Sequence, residues 1–384
     1  MIHSQSVKAK LREQKIGTPT WGYADSGTRF HVLRRASAPR NLEEKLEDAA
    51  VVQRVTGVCP YVDLHTAWDR SDEWGKIRRL ASDLGLRIGA VNPHLFDHDD
   101  YVLGSLCNPS ARVREKSLAE LLKGVEIAQQ VGASVMSMWF ADGTDYPGQD
   151  SFRARRKRLT EGLAQVYRAM PAGMRMVIEY KLFEPGFYSM DLSDWGGSYV
   201  LARALGDRAR VLVDLGHHAQ GTNIEHIVAL LLSEDRLGGF HFNDRKYGDD
   251  DLTVGAINPY QLFLIFCELV SAEQDPETRS CARQVALMID ENHNLKSPIE
   301  GTIQSVLALQ IAYARALLVD YAHLAEMQGN GEVIRAEECL KDAYHTDVRP
   351  LLAEVRGEMG RDPDPLETFR RSGYMERITR QRGA

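Results

Sequence analysis

Short runs of β-branched and apolar residues alternate along the chain with longer stretches whose apolar positions recur three and four apart. These are the periods of a buried strand and of a helix with one buried face. Eight such units can be counted. The pattern predicts strands at Ile16 to Tyr23, Gly57 to Leu64, Arg87 to Asn92, Ser134 to Phe140, Met174 to Tyr180, Arg210 to Leu215, Gly238 to Asn243 and Gln284 to Glu291. Helix-start chemistry lies between them. Asn41 stands three residues before Glu44, Asn108-Pro109 and Asn258-Pro259 pair a capping residue with a first-turn proline, and Ser297-Pro298-Ile299-Glu300 joins a capping box to one. Gly57 and Gly132 follow helical runs where a left-handed stop is expected.

Strands that are apolar along their whole length are those covered on both faces, as parallel strands are. Eight of them alternating with helices predict an α/β fold closed into a (β/α)8 barrel. An open doubly wound sheet is the alternative, but no G-x-G-x-x-G follows the first strand. Residues 1–300 are expected to form the catalytic barrel and residues 301–384 a helical extension engaged in subunit contacts. Beyond the eighth strand the pattern predicts two long helices, about Pro298 to Gln328 and Glu332 to Arg356, divided by Gly329-Asn330-Gly331.

Composition narrows the function classes. The 384 residues are 43% hydrophobic and 26% charged, which is globular, and 47 basic against 54 acidic side chains give a net charge of −7. An acidic excess disfavours a nucleic-acid partner, because phosphate-backbone binders concentrate basic charge on one face. Five cysteines without a C-x-x-C suggest neither a disulfide framework nor a structural zinc site. No apolar leader opens the chain and no window approaches about 18 uncharged apolar residues, so a cytoplasmic protein without a membrane partner is expected.

In such a barrel the chemistry sits at the carboxyl ends of the strands. There the sequence places His65 and Trp68, Trp139, Glu179 and Lys181, Asp214 with His217 and His218, His241 with Asn243, Asp244 and the run Asp249 to Asp251, and Asp290, Glu291 and His293. Singly, each reads as ordinary: a hydrogen-bonded histidine, a core tryptophan, a solvated acidic turn. Glu179, Asp214, His241 and Asp290 differ because they lie on four consecutive strands among residues that should be buried. Four such groups converging without a cation would cost several kcal/mol each. Three carboxylates and one imidazole suit Mn²⁺, Co²⁺ or Mg²⁺, with Zn²⁺ less favoured. His217, Asp249 and Asp251 are candidates for a second cluster, with Asp214 bridging two ions. Paired metals hold adjacent oxygens, which makes a polyol or sugar the expected substrate.

Several longer motifs carry a resemblance: TWG with SGTRF (Thr20 to Phe30), LHTAWD, DGTDYPGQ, EYKLFEPGFY, VDLGHH, GGFHFNDRKYGDDDL and RRSGY. Over nearly its whole length the chain resembles the L-rhamnose isomerases of the Pseudomonas type, within the xylose-isomerase-like TIM barrels. The resemblance implies interconversion of L-rhamnose and L-rhamnulose, with activity on rarer sugars, by a homotetramer using Mn²⁺. It implies a first metal on Glu179, Asp214, His241 and Asp290, and a second on His217, Asp249 and Asp251 with Asp214 shared. The substrate would be contacted by Trp21, His65, Trp68, Trp139 and Lys181, and by Phe30 from a neighbouring subunit. Catalytic roles would fall to His65, Lys181, Glu179 and Asp290. The segment VNPHLFDHDDYVLGSL after the third strand departs from the family pattern. A ketose 3-epimerase on the same scaffold and a barrel endonuclease are the rival readings. The first needs two glutamates flanking C3, and the second needs histidine-rich zinc clusters and a basic face.

Overall fold

The computed structural model describes residues 4–27, 31–184, 188–248, 251–293 and 295–383. Eight parallel strands close into a barrel: β1 (Ile16–Pro19), β2 (Tyr61–His65), β3 (Arg87–Asn92), β4 (Val135–Met138), β5 (Arg175–Glu179), β6 (Ala209–Asp214), β7 (Leu237–Phe242) and β8 (Ala286–Ile289). The ring closes where β1 pairs with β8, Ile16 opposite Leu287 and Gly17 opposite Met288. β6 and β7 are buried at every position, which is why they read as mainly apolar runs against which Asp214 and His241 stand out. Their register sets Asp214 opposite His241. A two-stranded antiparallel ribbon, Phe183–Glu184 with Tyr188–Ser189, follows β5.

Local signals set some boundaries, while at Asn258-Pro259 and Ser297-Pro298 the proline opens the helix but the expected capping side chain makes no bond to it. Asn41 caps the helix Leu42–Thr56 by accepting from the Glu44 amide at 2.9 Å. Gly57 and Gly132 end their helices at φ +77°, where a side chain would be strained. Asn108-Pro109 lies just outside the helix it was expected to start: Asn108 instead accepts from the Ser110 amide, and the helix Ala111–Val131 begins beyond it.

Two expectations need correction. The first strand stops at Pro19 rather than Tyr23, because proline cannot donate to the ladder; Thr20–Tyr23 form a helical turn that brings Trp21 into the barrel mouth. The carboxy-terminal region holds not two long helices but six segments among the described residues: Pro298–Ala316, Tyr321–Gly329, Val333–His345, Arg349–Glu358, Pro365–Arg371 and Tyr374–Arg382. A new cap at Asp320 and the proline in the first turn of Arg349–Glu358 restart the chain where apolar periodicity alone ran on, and Asp364 caps a further helix beyond the expected two. Pro298–Ala316 packs against Pro259–Gln274 and Leu42–Thr56, so it completes the helical ring, and the boundary expected at residue 300 falls inside it. The last helix is tied to the ring by Arg382, which meets the buried Asp48 carboxylate at 2.8 Å, and by the Tyr374 hydroxyl, which donates to it at 2.7 Å. No single helix among the described residues is long and apolar enough to cross a membrane.

Candidate metal centre and active site

Glu179 and Asp214 end β5 and β6, His241 stands one residue from the end of β7, and Asp290 follows β8. One ligand atom from each lies within 4.8 Å of the others. His241 Nδ1 is 3.2 Å from Glu179, 3.4 Å from Asp290 and 3.9 Å from Asp214. Yet neither nitrogen of this buried imidazole makes a hydrogen bond. Buried polar atoms without partners are uncommon, and a nitrogen set among three carboxylate oxygens but aligned with none has the placement of a metal ligand.

Electrostatics agree. Burial pushes every carboxyl of the cluster up, and the charges of His241 and His217 outweigh it only at Glu179, which is held down at about 2. Asp214 is pushed up to about 7 by burial, with the charges of Glu179 and Asp290 adding to it. Burial would depress His241, but the surrounding carboxylates hold it up at about 10. The cluster by itself therefore keeps protons on groups that would otherwise be anionic or neutral ligands; a divalent cation supplies the missing positive charge. The residues present fit such an ion.

Neighbouring groups fix the ligands. The Asn243 amide donates to both Asp214 oxygens at 3.1 Å, and the Gly216 amide donates to one at 2.7 Å. Trp21 Nε1 donates to Asp290 at 2.7 Å. His217 Nδ1 donates to the Tyr180 carbonyl at 3.1 Å, leaving Nε2 on the side of Asp214, 3.9 Å away. Asp251 stands outside this group of ligands, at φ +44°, and accepts from Asn292 at 3.3 Å. Asp249 and Phe30 lie outside the described residues.

The loops after β1 to β4 build the facing wall. Trp68 stacks on His65 with centroids 4.1 Å apart, and Trp21 meets His65 edge-on at 5.7 Å. Phe96 bridges the wall, 5.6 Å from His65 and 5.4 Å from Trp139. Lys181 is buried, with Nζ 5.4 Å from the Trp139 ring centroid. Burial, with the charges of His94 and Lys45 adding to it, lowers the pKa of His65 to about 3, so its ring is neutral. Its Nδ1 accepts from the Ala67 amide, which puts the proton on Nε2. Asp69 holds this loop by accepting from the His65 amide at 2.8 Å and from Lys45 at 2.7 Å.

The sequence expectations are thus brought together at Trp21, His65, Trp68, Trp139, Glu179, Lys181, Asp214, His217, His241 and Asp290. Phe96, Lys45 and Asp69 were missed. The one available signal for Phe96 was an aromatic four residues past the end of a barrel strand.

Residues 54–262 match the family described as xylose isomerase-like TIM barrel. The chain belongs to that family. It is 41% identical, over its whole length, to a protein named "Probable sugar isomerase" from Rhizobium meliloti (strain 1021), of which the match covers 90%. A second protein of that name, from Mesorhizobium japonicum, is also 41% identical, with 89% of it covered. Among solved structures, an L-ribulose 3-epimerase superposes with a TM-score of 0.56 at 16% identity, covering 80% of this chain and 98% of that one. A D-psicose 3-epimerase superposes with a TM-score of 0.52 at 14% identity, covering 79% and 97%. At that identity the two epimerases share the fold with this chain, whereas the two proteins similar to it in sequence are named as probable sugar isomerases.

Proposed function

We propose that the protein is a divalent-cation-dependent aldose–ketose isomerase that interconverts L-rhamnose and L-rhamnulose. The observation that carries the reading is a hydrogen-bond-free imidazole among three buried carboxylates, opposite an aromatic wall that includes a buried lysine. Sequence relatives named as sugar isomerases support it over an endonuclease, and so does the acidic net charge of −7.

The reaction moves one hydrogen from C2 to C1 and one proton from O2 to O1. A cation bound at Glu179, Asp214, His241 and Asp290 supplies Lewis acidity beside the oxygens on which negative charge develops. The carboxylate-rich set favours Mn²⁺. Lys181 donates to O1 as its charge grows, in a setting that Trp139 keeps dry. The His65 Nε2 proton serves the ring oxygen during opening. His65, Trp68, Phe96 and Trp139 form an apolar surface suited to the methyl end of a 6-deoxy sugar. A second cation beside Asp214, reached by His217 Nε2 and Asp249 and Asp251, belongs to the same proposal, as does a homotetramer in which Phe30 enters a neighbour's site.

The test is product analysis by NMR after incubation with Mn²⁺ and, separately, L-rhamnose, other aldoses, L-ribulose and D-psicose. Formation of L-rhamnulose from L-rhamnose is expected. Ketose products differing only at C3 would establish the epimerase instead.

A further inference from the structure

The interior of a (β/α)8 barrel is ordinarily filled by layers of bulky side chains. Here the end opposite the carboxylate cluster is hollow. A cavity of about 700 Å³ opens among the first residues of the strands, lined by Gly17, Gly89 and Ala286 where large side chains would plug it. The glycines are required by what they surround: a Cβ on Gly17 or Gly89 would lie 2.4 or 2.7 Å from the Asp63 carboxylate. That carboxylate is 1% exposed; one oxygen accepts from the Ala90 amide at 2.8 Å and the other has no hydrogen-bond partner. Gln14, 6% exposed, lines the same cavity with both its amide oxygen and its amide nitrogen unpartnered. Two buried polar side chains facing one cavity with unused donors and acceptors are rare unless something fills it.

Charge defines the other half of the occupant. Lys10, Lys15, Arg175 and Arg283 line the cavity with Glu13 and Glu273. Lys10 pairs with Glu273 at 2.7 Å. Among the described residues, Lys15, Arg175 and Arg283 have no carboxylate within ion-pair distance, and Arg175 is held in place by donating to the Gln284 carbonyl. Burial pushes the Asp63 carboxyl up to about 7, so the acid can present a hydroxyl donor as well as an acceptor.

We propose that this amino-terminal end of the barrel is a second small-molecule site, which binds a polyol carrying one anionic group. The hydroxyls pair with Asp63 and Gln14, and the phosphate or carboxylate lies among Lys15, Arg175 and Arg283. The volume suits a six-carbon ligand. The site shares no residue with the cluster above it and stands whether or not the isomerase reading holds.

Calorimetric titration of the full-length protein tests this with sorbitol 6-phosphate, gluconate, neutral sorbitol and inorganic phosphate. Saturable one-to-one binding of one or both anionic polyols is expected, and which of them binds identifies the anion. Arg175→Met and Gln14→Leu should each weaken it at least about tenfold, and Ala286→Leu, which fills the cavity, should abolish it. Lys181→Met, at the other end of the barrel, should leave it unchanged. If Ala286→Leu fails to fold, the first two variants still decide. Absence of binding by both anionic polyols up to about 10 mM, binding indifferent to Arg175→Met and Gln14→Leu, loss in Lys181→Met, or equal binding of inorganic phosphate alone would each overturn the proposal.

Discussion

Among the described residues two groups of metal-ligand side chains converge, and only one has the character of a metal site. Cys107, Asp142 and Asp191 bring ligand atoms within 4.8 Å of one another, just as Glu179, Asp214, His241 and Asp290 do. In the first group every carboxylate is answered by the protein. Asp142 accepts from the Ser105 and Cys107 amides at 2.8 and 2.9 Å and from the Ser105 hydroxyl at 2.7 Å, while Asp191 is met by Arg155 at 2.8 Å. Burial and the nearby Asp142 charge push the Cys107 thiol up, so by itself it rests as the neutral thiol. In the second group Asp214 and Asp290 also accept hydrogen bonds, but the three carboxylates surround a buried imidazole, His241, that makes none. Convergence of ligand types does not make a site; a buried ligand nitrogen left without a partner among carboxylates points to one.

Substitutions separate the two groups. The largest effect is expected from His241→Ala, which should lower kcat by at least about 10³-fold, since it removes part of a charge-stabilising centre worth several kcal/mol, while the thermal midpoint of the chelated protein stays near that of the wild type. Steady-state kinetics and thermal melts read both. Arg155→Met should do the reverse: it leaves Asp191 unpaired and costs about 3–5 kcal/mol of stability in denaturant titrations, with unchanged Mn²⁺ affinity of the folded fraction. Asn243→Ala sharpens the comparison, because the Asn243 amide orients Asp214 without belonging to the cluster itself; Mn²⁺ affinity measured by calorimetry should fall about 10–100-fold.

The smallest effect concerns His65 in the aromatic half of the site. Its folded pKa of about 3 lies below the unfolded value of about 6.5, so the unfolded chain binds the extra proton between those limits. The stability that comes from keeping the ring neutral is complete above about pH 6.5 and is lost as pH falls towards 3. The wild type should therefore lose stability on acidification more steeply than His65→Gln, by up to about 1.4 kcal/mol per pH unit, in denaturant titrations between pH 6.5 and 4.

What was legible beforehand divides along a physical line. β3 was placed to the residue, and the four cluster ligands were found, because buried parallel strands are continuous apolar runs and a polar residue at their ends stands out. Phe96 and the Lys45–Asp69 pair join the site through loops and a helix, where no period links residues far apart in sequence. Arg155 and Asp191 likewise meet across 36 positions. The end of β1 turned on the missing amide of Pro19, and the carboxy-terminal helices on the cap at Asp320 and the proline after Arg349, single-residue signals that outweighed a longer apolar pattern. The inward glycines of β1 and β3 carry no signal in the sequence, and only the Asp63 carboxylate beside them explains their place.

The central claim is that the Glu179, Asp214, His241 and Asp290 cluster is completed by a cation on which sugar isomerisation depends. The most direct test is titration of chelator-stripped protein with Mn²⁺, following bound metal and conversion of L-rhamnose in the same samples. The account predicts no conversion without metal, turnover that rises in step with occupancy, and loss of both in His241→Ala. Full conversion by the stripped protein, or unchanged Mn²⁺ binding in His241→Ala, would contradict it.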